Sequence, residues 1–302
     1  MSEKRVDLEI ARYIGAPINP NLPSPLALTE ACNVEEAEPG EEIKAFTGDT
    51  TDVDDIYVAD ADGKLTIHKC TPVAPVSVTW VGLQSKLEYV LIDDVLPAPD
   101  QSALARKKAG ITRAMDKCEV GLLTTALLGI VSQQVTPTAG KDVLHRIIQL
   151  KQKVGVYGDN YALLVGSTVA DAIDTYDIDY VQDNLYRLGI KEILASMGIT
   201  VIKIVGVVNG DALLGAKQGI LIARNSSLAA GRPIYFLRRK IGPEIAAQMG
   251  VESGVRIVSV AQVPQIINTT NTLGYGCFGY ESFMFVITNY RAIATMNDML
   301  AV

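Results

Sequence analysis

The chain has 302 residues, with 34 acidic side chains against 27 basic ones, and its formal charge of −7 leaves no basic excess for coating nucleic acid. Hydrophobic residues make up 48% of the sequence and charged residues only 20%, which excludes a largely disordered chain. The same composition predicts either a large core or an apolar surface that partner proteins cover.

The first 41 residues are predicted to form an arm. Four prolines between positions 17 and 25 exclude a helix after Gly15. Acidic side chains interrupt the start of the chain, where a secretory peptide would need an apolar run, and no apolar run reaches the ~18 residues of a membrane span. The four cysteines are scattered and are interpreted as small buried hydrophobes. We therefore expect a protein that is made and kept in a cytoplasm.

Residues 42–96 carry strand signals on both sides of a turn. Asp62-Gly63 lies between two short apolar runs, where the tolerance of glycine for positive φ favours a hairpin. Val76, Val78 and Trp80 alternate with polar residues, and a weaker alternation follows over positions 87–91. Both segments are predicted to be strands that are at least half buried.

The segment from Glu30 to Asp62 is strongly acidic: it holds twelve acidic side chains and a single basic one, Lys44, for a formal charge of −11. Three interpretations stay open, namely a solvated loop, a surface that meets a basic patch on another subunit, and a calcium site. Asp60-Ala-Asp-Gly63 begins like an EF-hand loop, but the glycine comes too early and no glutamate closes the loop.

The longest helical pattern runs from about Asp100, as its N-cap, to about Ile130. Apolar side chains along it fall seven, four, three and four residues apart, which places them on one face. They are Leu104, Ile111, Met115, Cys118 and Leu122. We expect Met115 and Leu122 to face the core, with five basic residues around the other sides. A second helix is predicted from about Lys141 to Val154.

From position 160 onward, strand and helix patterns alternate, and the chain as a whole is placed in the α+β class. The predicted elements are a strand over Tyr161 to Val165, helices over Ser167 to Tyr176 and Val181 to Met197, a strand over Val201 to Val208, short strands over Ile220 to Ala223 and Pro233 to Leu237, and late strands over Val255 to Thr270 and Ser282 to Thr288.

No residue pattern assembles an active site. His68 and His145 are interpreted as surface or boundary residues. The glycines of 274–279 match a dinucleotide fingerprint, but a strand follows them where a helix is needed, so a tight or bulged turn is the better interpretation. The stretch 210–217 resembles a P-loop, but Ala216 stands where the lysine belongs, so it too is interpreted as a turn. We predict no catalytic residue, no cofactor and no metal.

The order of these elements resembles that of the major capsid proteins of tailed bacteriophages, whose Hong Kong 97 fold is shared with encapsulins. The resemblance covers nearly the whole chain. The stretches that carry it are Asp100 to Ile130, Asn160 to Ala170, Ile190 to Ile202, and Arg256 to Ala261 together with Tyr280 to Asn289.

The resemblance implies a division of the chain into five parts. These are an N-terminal arm (1–41), an extended hairpin called the E-loop (42–96), a peripheral domain with its spine helix (97–155), a mainly axial domain (156–254), and return strands of the peripheral domain (255–302).

The function implied is that of a non-enzymatic structural subunit. It would self-assemble as hexamers and pentamers into the icosahedral capsid of a tailed phage, enclosing DNA without sequence-specific binding. The virion would be assembled in the cytoplasm of the bacterial host. Because only about a hundred residues precede the spine helix, we expect a separate scaffolding protein, with a portal and a decoration protein as further partners. Two alternatives are an encapsulin-like nanocompartment and a cytoplasmic α/β enzyme with an unrecognised site.

Contacts between subunits are expected where acidic and basic runs meet. The E-loop of the family lies over an adjacent subunit, so the basic run on the spine helix is the favoured partner of the acidic stretch. The suspected contact residues are Arg106, Lys107, Lys108, Glu35, Glu36, Asp54, Asp55, Arg238 and Arg239.

Overall fold

A computed structural model gives the fold of most of the chain. It describes residues 26–41, 44–45, 76–77, 79–86, 88–92, 102–155, 158–175, 190–208, 210–224, 232–248, 254–260, 265–266 and 273–300. The predicted hairpin at Asp62-Gly63, the N-cap at Asp100, and His68 lie outside these residues.

Six α-helices form within the described residues. They are α1 (Leu26–Ala31), α2 (Ser102–Leu128), α3 (Val143–Val154), α4 (Ser167–Asp174), α5 (Ile190–Ser196) and α6 (Pro243–Gln248). Short 3₁₀ turns follow α2 at Val131–Gln133 and precede the last strand at Tyr290–Ala292. The two predicted helices at 100–130 and 141–154 are thus confirmed to within two residues where their ends are described.

The strands are mostly short. They are β1 (Asn33–Ala37), β2 (Lys44–Ala45), β3 (Val76–Ser77), β4 (Val81–Gln84), β5 (Glu88–Leu91), β6 (Tyr161–Val165), β7 (Ile199–Lys203), β8 (Val207–Val208), β9 (Asp211–Ala212), β10 (Gly219–Ala223), β11 (Ile234–Arg239), β12 (Arg256–Val260), β13 (Gln265–Ile266), β14 (Leu273–Ile287) and β15 (Ile293–Met296).

The larger sheet is organised around β14, the longest strand. Tyr280 pairs with Gln84 of β4 and with Ile257 of β12, so β4 and β12 lie on opposite edges of β14. On the same grounds β5 follows β4 along one edge, while β13, β12 and β11 follow one another along the other. β1 then pairs in parallel with β11. One strand therefore holds together segments from the start, middle and end of the chain.

The smaller sheet has the strand order β15-β10-β6-β7, with β6 and β7 parallel and the other pairs antiparallel. β6 and β10 are buried at every position because side chains from both faces enter a core. On one face Leu163 and Leu221 pack with α3, α4 and α5, and on the other Leu164 and Ile220 pack with α2 and the large sheet. Strands covered on both faces explain the continuous apolar runs of the sequence.

Each sheet includes strands from two of the predicted parts of the chain, the mainly axial part (156–254) and the return strands (255–302). β11 pairs with β14 in the larger sheet, and β15 pairs with β10 in the smaller one. The predicted domain boundaries themselves stay a prediction.

The helix α2 buries different faces along its length. Met115 is confirmed in the core, where it packs with Ile111 and Cys277. Leu122 was expected on the same face, but 41% of it is exposed. The prediction is wrong because α2 packs against a different core further along its length. Seven residues at about 100° each bring Leu122 back to nearly the same side of the helix as Met115. The C-terminal half instead buries the side of Leu123, toward the core between the sheets.

Two other predictions about loops meet different outcomes. The glycines of 274–279 lie inside the regular strand β14, so the predicted tight turn is wrong. The stretch 210–217 is a turn as predicted: β8 and β9 form a hairpin, and Gly210 adopts a φ of +93° beside it. The predicted strand over Val201 to Val208 divides into β7 and β8, with a break that contains Gly206 at a φ of +143°.

Candidate functional site

The basic run on α2 lies on a solvated part of that helix. Arg106 and Lys108 are exposed, and Lys107 is half-buried. Lys107 forms an ion pair with Glu88 of β5, and β5 pairs with β14 in the larger sheet. The run therefore both braces α2 against the sheet and presents positive charge to solvent.

The acidic residues of β1 are exposed, and part of the acidic stretch pairs within the chain. Glu36 lies 3.5 Å from the Lys240 Nζ atom, and Glu38 accepts a hydrogen bond of 2.6 Å from the same atom. Glu30, at the end of α1, pairs with Arg224. Glu35 is exposed on β1. The suspected contacts Asp54 and Asp55 lie outside the described residues.

The two suspected arginines of β11 differ from one another. Arg239 is half-buried, with its guanidinium 5.7 Å from the centre of the Trp80 ring. Arg238 points to the opposite face of the sheet, over the Phe236 ring, and both oxygens of the Glu119 carboxylate accept hydrogen bonds of 2.8 Å from its Nη2. Glu119 belongs to α2, so Arg238 ties β11 of the larger sheet to the long helix within one chain.

Arg238 belongs to a set of five charged side chains between α2 and the larger sheet, which we call the buried charge cluster. Its members are Asp116 and Glu119 of α2, Arg238 of β11, Arg256 of β12 and Glu281 of β14. Glu119 is 1% exposed and Glu281 is 0% exposed, so two carboxyl groups are enclosed in the fold. Buried charges are retained only where partners compensate them.

Arg256 lies at the centre of the cluster. Its Nη1 donates to Asp116 Oδ1 at 2.6 Å, its Nε donates to Glu281 Oε2 at 2.5 Å, and its Nη2 lies 2.8 Å from Glu119 Oε1. Burial is the largest single influence and lowers the pKa of Arg256, but the hydrogen bonds to Glu281 and Asp116 and the negative charges of Glu119 and Glu281 together outweigh it, so the pKa of Arg256 is raised. Arg256 therefore stays charged and connects two elements that are far apart in sequence.

The acidity of the Glu119 carboxyl group is also altered. Burial, followed by the neighbouring Glu281 carboxylate, raises the pKa of the Glu119 carboxyl from 4.5 to about 7, although Arg238 and Arg256 oppose the shift. Burial and both glutamates also raise the pKa of the Cys118 thiol, on the same helix. The cluster thus contains a carboxyl group that changes charge near neutral pH.

Reasoning from the sequence did not single out Glu119, Arg256 or Glu281. A signal was present, since each is a charged residue at a position that periodicity assigns to a buried face. Glu119 continues the four-residue spacing of Ile111 and Met115, and Glu281 has the same parity along β14 as Cys277. What periodicity does not show is that these positions meet, because Glu119 and Asp116 on α2 lie more than a hundred residues before the arginines that pair with them.

Two sets of contacts involve the described residues between positions 44 and 86. β2 and β3 are antiparallel, with Lys44 opposite Ser77 and Ala45 opposite Val76. Further along, Gly279 of β14 accepts a hydrogen bond of 2.9 Å from the Ser85 backbone and donates one of 2.7 Å to the Ser85 hydroxyl. The residues at positions 44–45 and 76–77 are thus held together, and the chain is bound to β14 from position 81 onward.

Chemical sites are scarce in the part of the chain that the structure describes. No group of three or more histidine, cysteine or acidic side chains there is arranged to hold a metal ion. Within the same part, no helix combines the length and the apolar character needed to span a bilayer. Cys32 and Cys277 are buried, as expected of small hydrophobes, and His145 is exposed on α3.

Comparison with known proteins gives matches in structure alone. No family model matches the sequence, and no curated protein matches it. A solved structure from Mycobacterium phage Cain aligns over 97% of this chain and 94% of that one, with 9% identity and a TM-score of 0.59. The capsid of cyanophage P-SCSP1u aligns over 93% and 90%, with 7% identity and a TM-score of 0.53. An encapsulin from Synechococcus elongatus aligns over 97% and 96%, with 13% identity and a TM-score of 0.51.

The chain has the Hong Kong 97 fold. The expected α+β class and the resemblance stated from the sequence are confirmed, over nearly the full length of the chain. In this Hong Kong 97-fold chain, the buried charge cluster lies where the long helix meets the larger sheet, and the exposed basic run lies on the same helix further toward its N-terminus.

Proposed function

We propose that this chain is the structural subunit of a closed protein shell, and first of all of the icosahedral capsid of a tailed phage, built from hexamers and pentamers. The observation that carries the proposal is the overlap of nearly the whole chain with a cyanophage capsid and with an encapsulin. Because the solved structures with this fold include such shells, we prefer this role to the α/β enzyme.

We propose further that residues 42–96 form the E-loop and that α2 is the spine helix. The pairing of β2 with β3 supports the first assignment, because it brings together the two ends of a thirty-residue segment, as a long hairpin requires. The length of α2, 27 residues, supports the second. With these assignments the arm is 1–41, the peripheral domain begins at 97, the mainly axial part is 156–254 and the return strands follow from 255.

We propose that the E-loop of one subunit lies on the long helix of its neighbour. Arg106 and Lys108 present their charge to solvent, and the acidic residues beyond Glu41, among them Asp54 and Asp55, offer the complementary charge. Glu35 and Arg239 are the other exposed or half-buried candidates. Arg238 and Glu36 are further candidates for contact, and each also has a partner within the chain.

The proposed role as a shell subunit implies several partners. The chain associates with itself, and a separate scaffolding protein, a portal and a decoration protein are the further candidates. DNA would be enclosed without sequence-specific binding, which agrees with a formal charge of −7. The site of assembly would be the cytoplasm of the bacterial host, and the product a virion.

An encapsulin-like compartment is the second candidate, because an encapsulin aligns over 97% of this chain. Expression of the full chain alone separates the two candidates. An encapsulin-like subunit would close into uniform shells without help, whereas a capsid subunit that depends on a scaffolding protein would give capsomers or irregular particles.

The shell proposal itself is tested by the molar mass of the same sample from light scattering. We expect species many times heavier than the 32.4 kDa chain. A single species at that mass, at all concentrations and salt conditions, would contradict both candidates.

A further inference from the structure

The buried charge cluster contains more negative than positive charge. Asp116, Glu119 and Glu281 carry three carboxyl groups, and in the described part of the chain their ion pairs are with two arginines, Arg238 and Arg256. With every acid ionised, the cluster has a formal charge of −1 in a place from which water is largely excluded. Such an excess is costly, because an unpaired charge in a medium of low dielectric loses its hydration.

Other groups also line this contact. β4 contributes Leu83, and α2 adds the Cys118 thiol and the half-buried Arg113 and Lys117, which flank Asp116 along the helix. The ion pairs of the three carboxyl groups are with Arg238 and Arg256, whereas Lys107 pairs with Glu88. Binding of one proton would remove the excess charge of the five-membered cluster.

One carboxyl oxygen of the glutamate pair lacks a hydrogen-bond partner. Both oxygens of Glu119 accept from Arg238, and Glu281 Oε2 accepts from Arg256, but Glu281 Oε1 is buried without a hydrogen-bond partner. Two adjacent buried carboxyl groups repel one another when both are ionised and attract when one is protonated, since an O–H group can then donate.

We propose that the Glu119 and Glu281 carboxyl groups share one proton, and that its release weakens the attachment of the long helix to the larger sheet. Glu119 is on α2 and Glu281 is on β14, so repulsion between the two ions acts directly across this contact. The apolar part of the same contact, Ile111 and Met115 against Cys277, lies next along the helix.

The pH range follows from the acidity of Glu119. The folded chain holds this proton up to about pH 7, whereas an unfolded glutamate releases it near pH 4.5. Between these values the folded state binds more protons than the unfolded state, so the free energy of unfolding falls as the pH rises. The stabilisation is complete at acid pH and is lost by the time the pH passes 7.

The experiment uses the full chain, at one protein concentration, between pH 5 and pH 8. From pH 5 to pH 8, the unfolding constant measured by urea titration should increase in both proteins. The factor of increase should be roughly 10 to 100 times larger in the unaltered chain than in Glu119→Gln. Infrared spectra should show the carbonyl band of a protonated carboxylic acid at pH 6 that is lost by pH 8.5, and it should be absent from the double variant Glu119→Gln, Glu281→Gln. Amide hydrogen exchange of residues 116–124 should accelerate with pH more steeply than the intrinsic exchange rate does.

Glu88→Gln is the matched control, because it removes an exposed carboxylate that also bridges α2 and the sheet. It should keep both the infrared band and the pH dependence. The proposal is overturned if the unaltered chain shows no acid band at pH 6, or if Glu119→Gln unfolds with the same pH dependence as the unaltered chain. The infrared spectrum of the unaltered chain decides the matter even if neither glutamine variant folds.

Discussion

Gly279 sets how closely the long helix approaches β14. A Cβ atom at this position would stand 2.6 Å from Ile111 Cγ2 and 2.8 Å from Met115 Sδ, so either the helix or its side chains would have to move. We expect Gly279→Ala to lower the free energy of unfolding by about 1–3 kcal/mol, as overpacking does. Urea denaturation measures the change.

Gly276 provides the control on the same strand, because a Cβ atom there meets no heavy atom within 4 Å. Gly276→Ala should leave the stability within about 1 kcal/mol of the unaltered chain. Equal losses from the two substitutions would show that the strand needs glycine for its backbone and not for the approach of the helix.

Met115 and Leu122 test the two faces of α2. Met115 is 3% exposed, so Met115→Asp buries an unpaired charge and should cost about 3–5 kcal/mol. Leu122 is 41% exposed, and Leu122→Asp should cost about 1 kcal/mol or less. Denaturation of the two variants gives the comparison. If they lose similar stability, the buried face does not turn along the helix.

Single residues are where reasoning from the sequence was weakest. Leu122 was misplaced because the spacing of one half of α2 was extended into the other, where the helix packs against a different core. Glu119, Arg256 and Glu281 were not recognised because their pairing depends on contacts between α2, β12 and β14. Periodicity describes one element at a time and does not contain that information.

At the scale of elements, one arginine fastens the start of the described chain to its body. Arg232 Nη1 donates to the Cys32 and Thr29 carbonyl oxygens at the end of α1, and Asn33 Nδ2 donates to the Arg232 carbonyl at 3.4 Å. Arg232→Gln should therefore loosen α1 and β1, because a charge-assisted donor to two carbonyls is lost.

Hydrogen exchange of residues 26–37 measures this loosening. We expect exchange there to accelerate about 10-fold, the equivalent of ~1.4 kcal/mol, with little change in β6 and β10. Lys203→Gln is the control, since it removes a basic side chain whose ion pair, with Asp171 of α4, is exposed. If the two variants give the same exchange pattern, Arg232 does not hold α1 and β1 in place.

Elements were the scale at which the sequence was most informative. α2 and α3 were found because their apolar spacing is regular, and β6 because its apolar run is bounded by Asn160 and Gly166. The first half of β14 was missed because its glycines favoured a turn. Their small size instead serves packing at Gly279, which depends on a helix more than 150 residues earlier.

At the scale of the whole molecule, the charge pattern predicts how subunits associate. Each exposed ion pair contributes only ~0–1 kcal/mol, but many such pairs repeat in a shell. Because screening shortens electrostatic reach to about 3 Å at 1 M salt, association of free subunits should slow at that concentration.

Charge reversal is the sharper form of the same test. Replacing Arg106, Lys107 and Lys108 by Glu should slow assembly more than salt does, while circular dichroism shows the fold retained. The control replaces Lys141, Lys153 and Lys217, which are exposed elsewhere, and changes the net charge by the same amount. Light scattering follows both. Assembly rates that respond equally to the two triple reversals would remove the long helix from the proposed contact.

The shell itself is tested most directly by cryo-electron microscopy of particles formed by the full chain, with its scaffolding protein if one is required. The account predicts a closed icosahedral shell in which each subunit has the Hong Kong 97 fold and residues 42–96 extend over a neighbouring subunit. Dispersed monomers or small open oligomers under all conditions of assembly would contradict it.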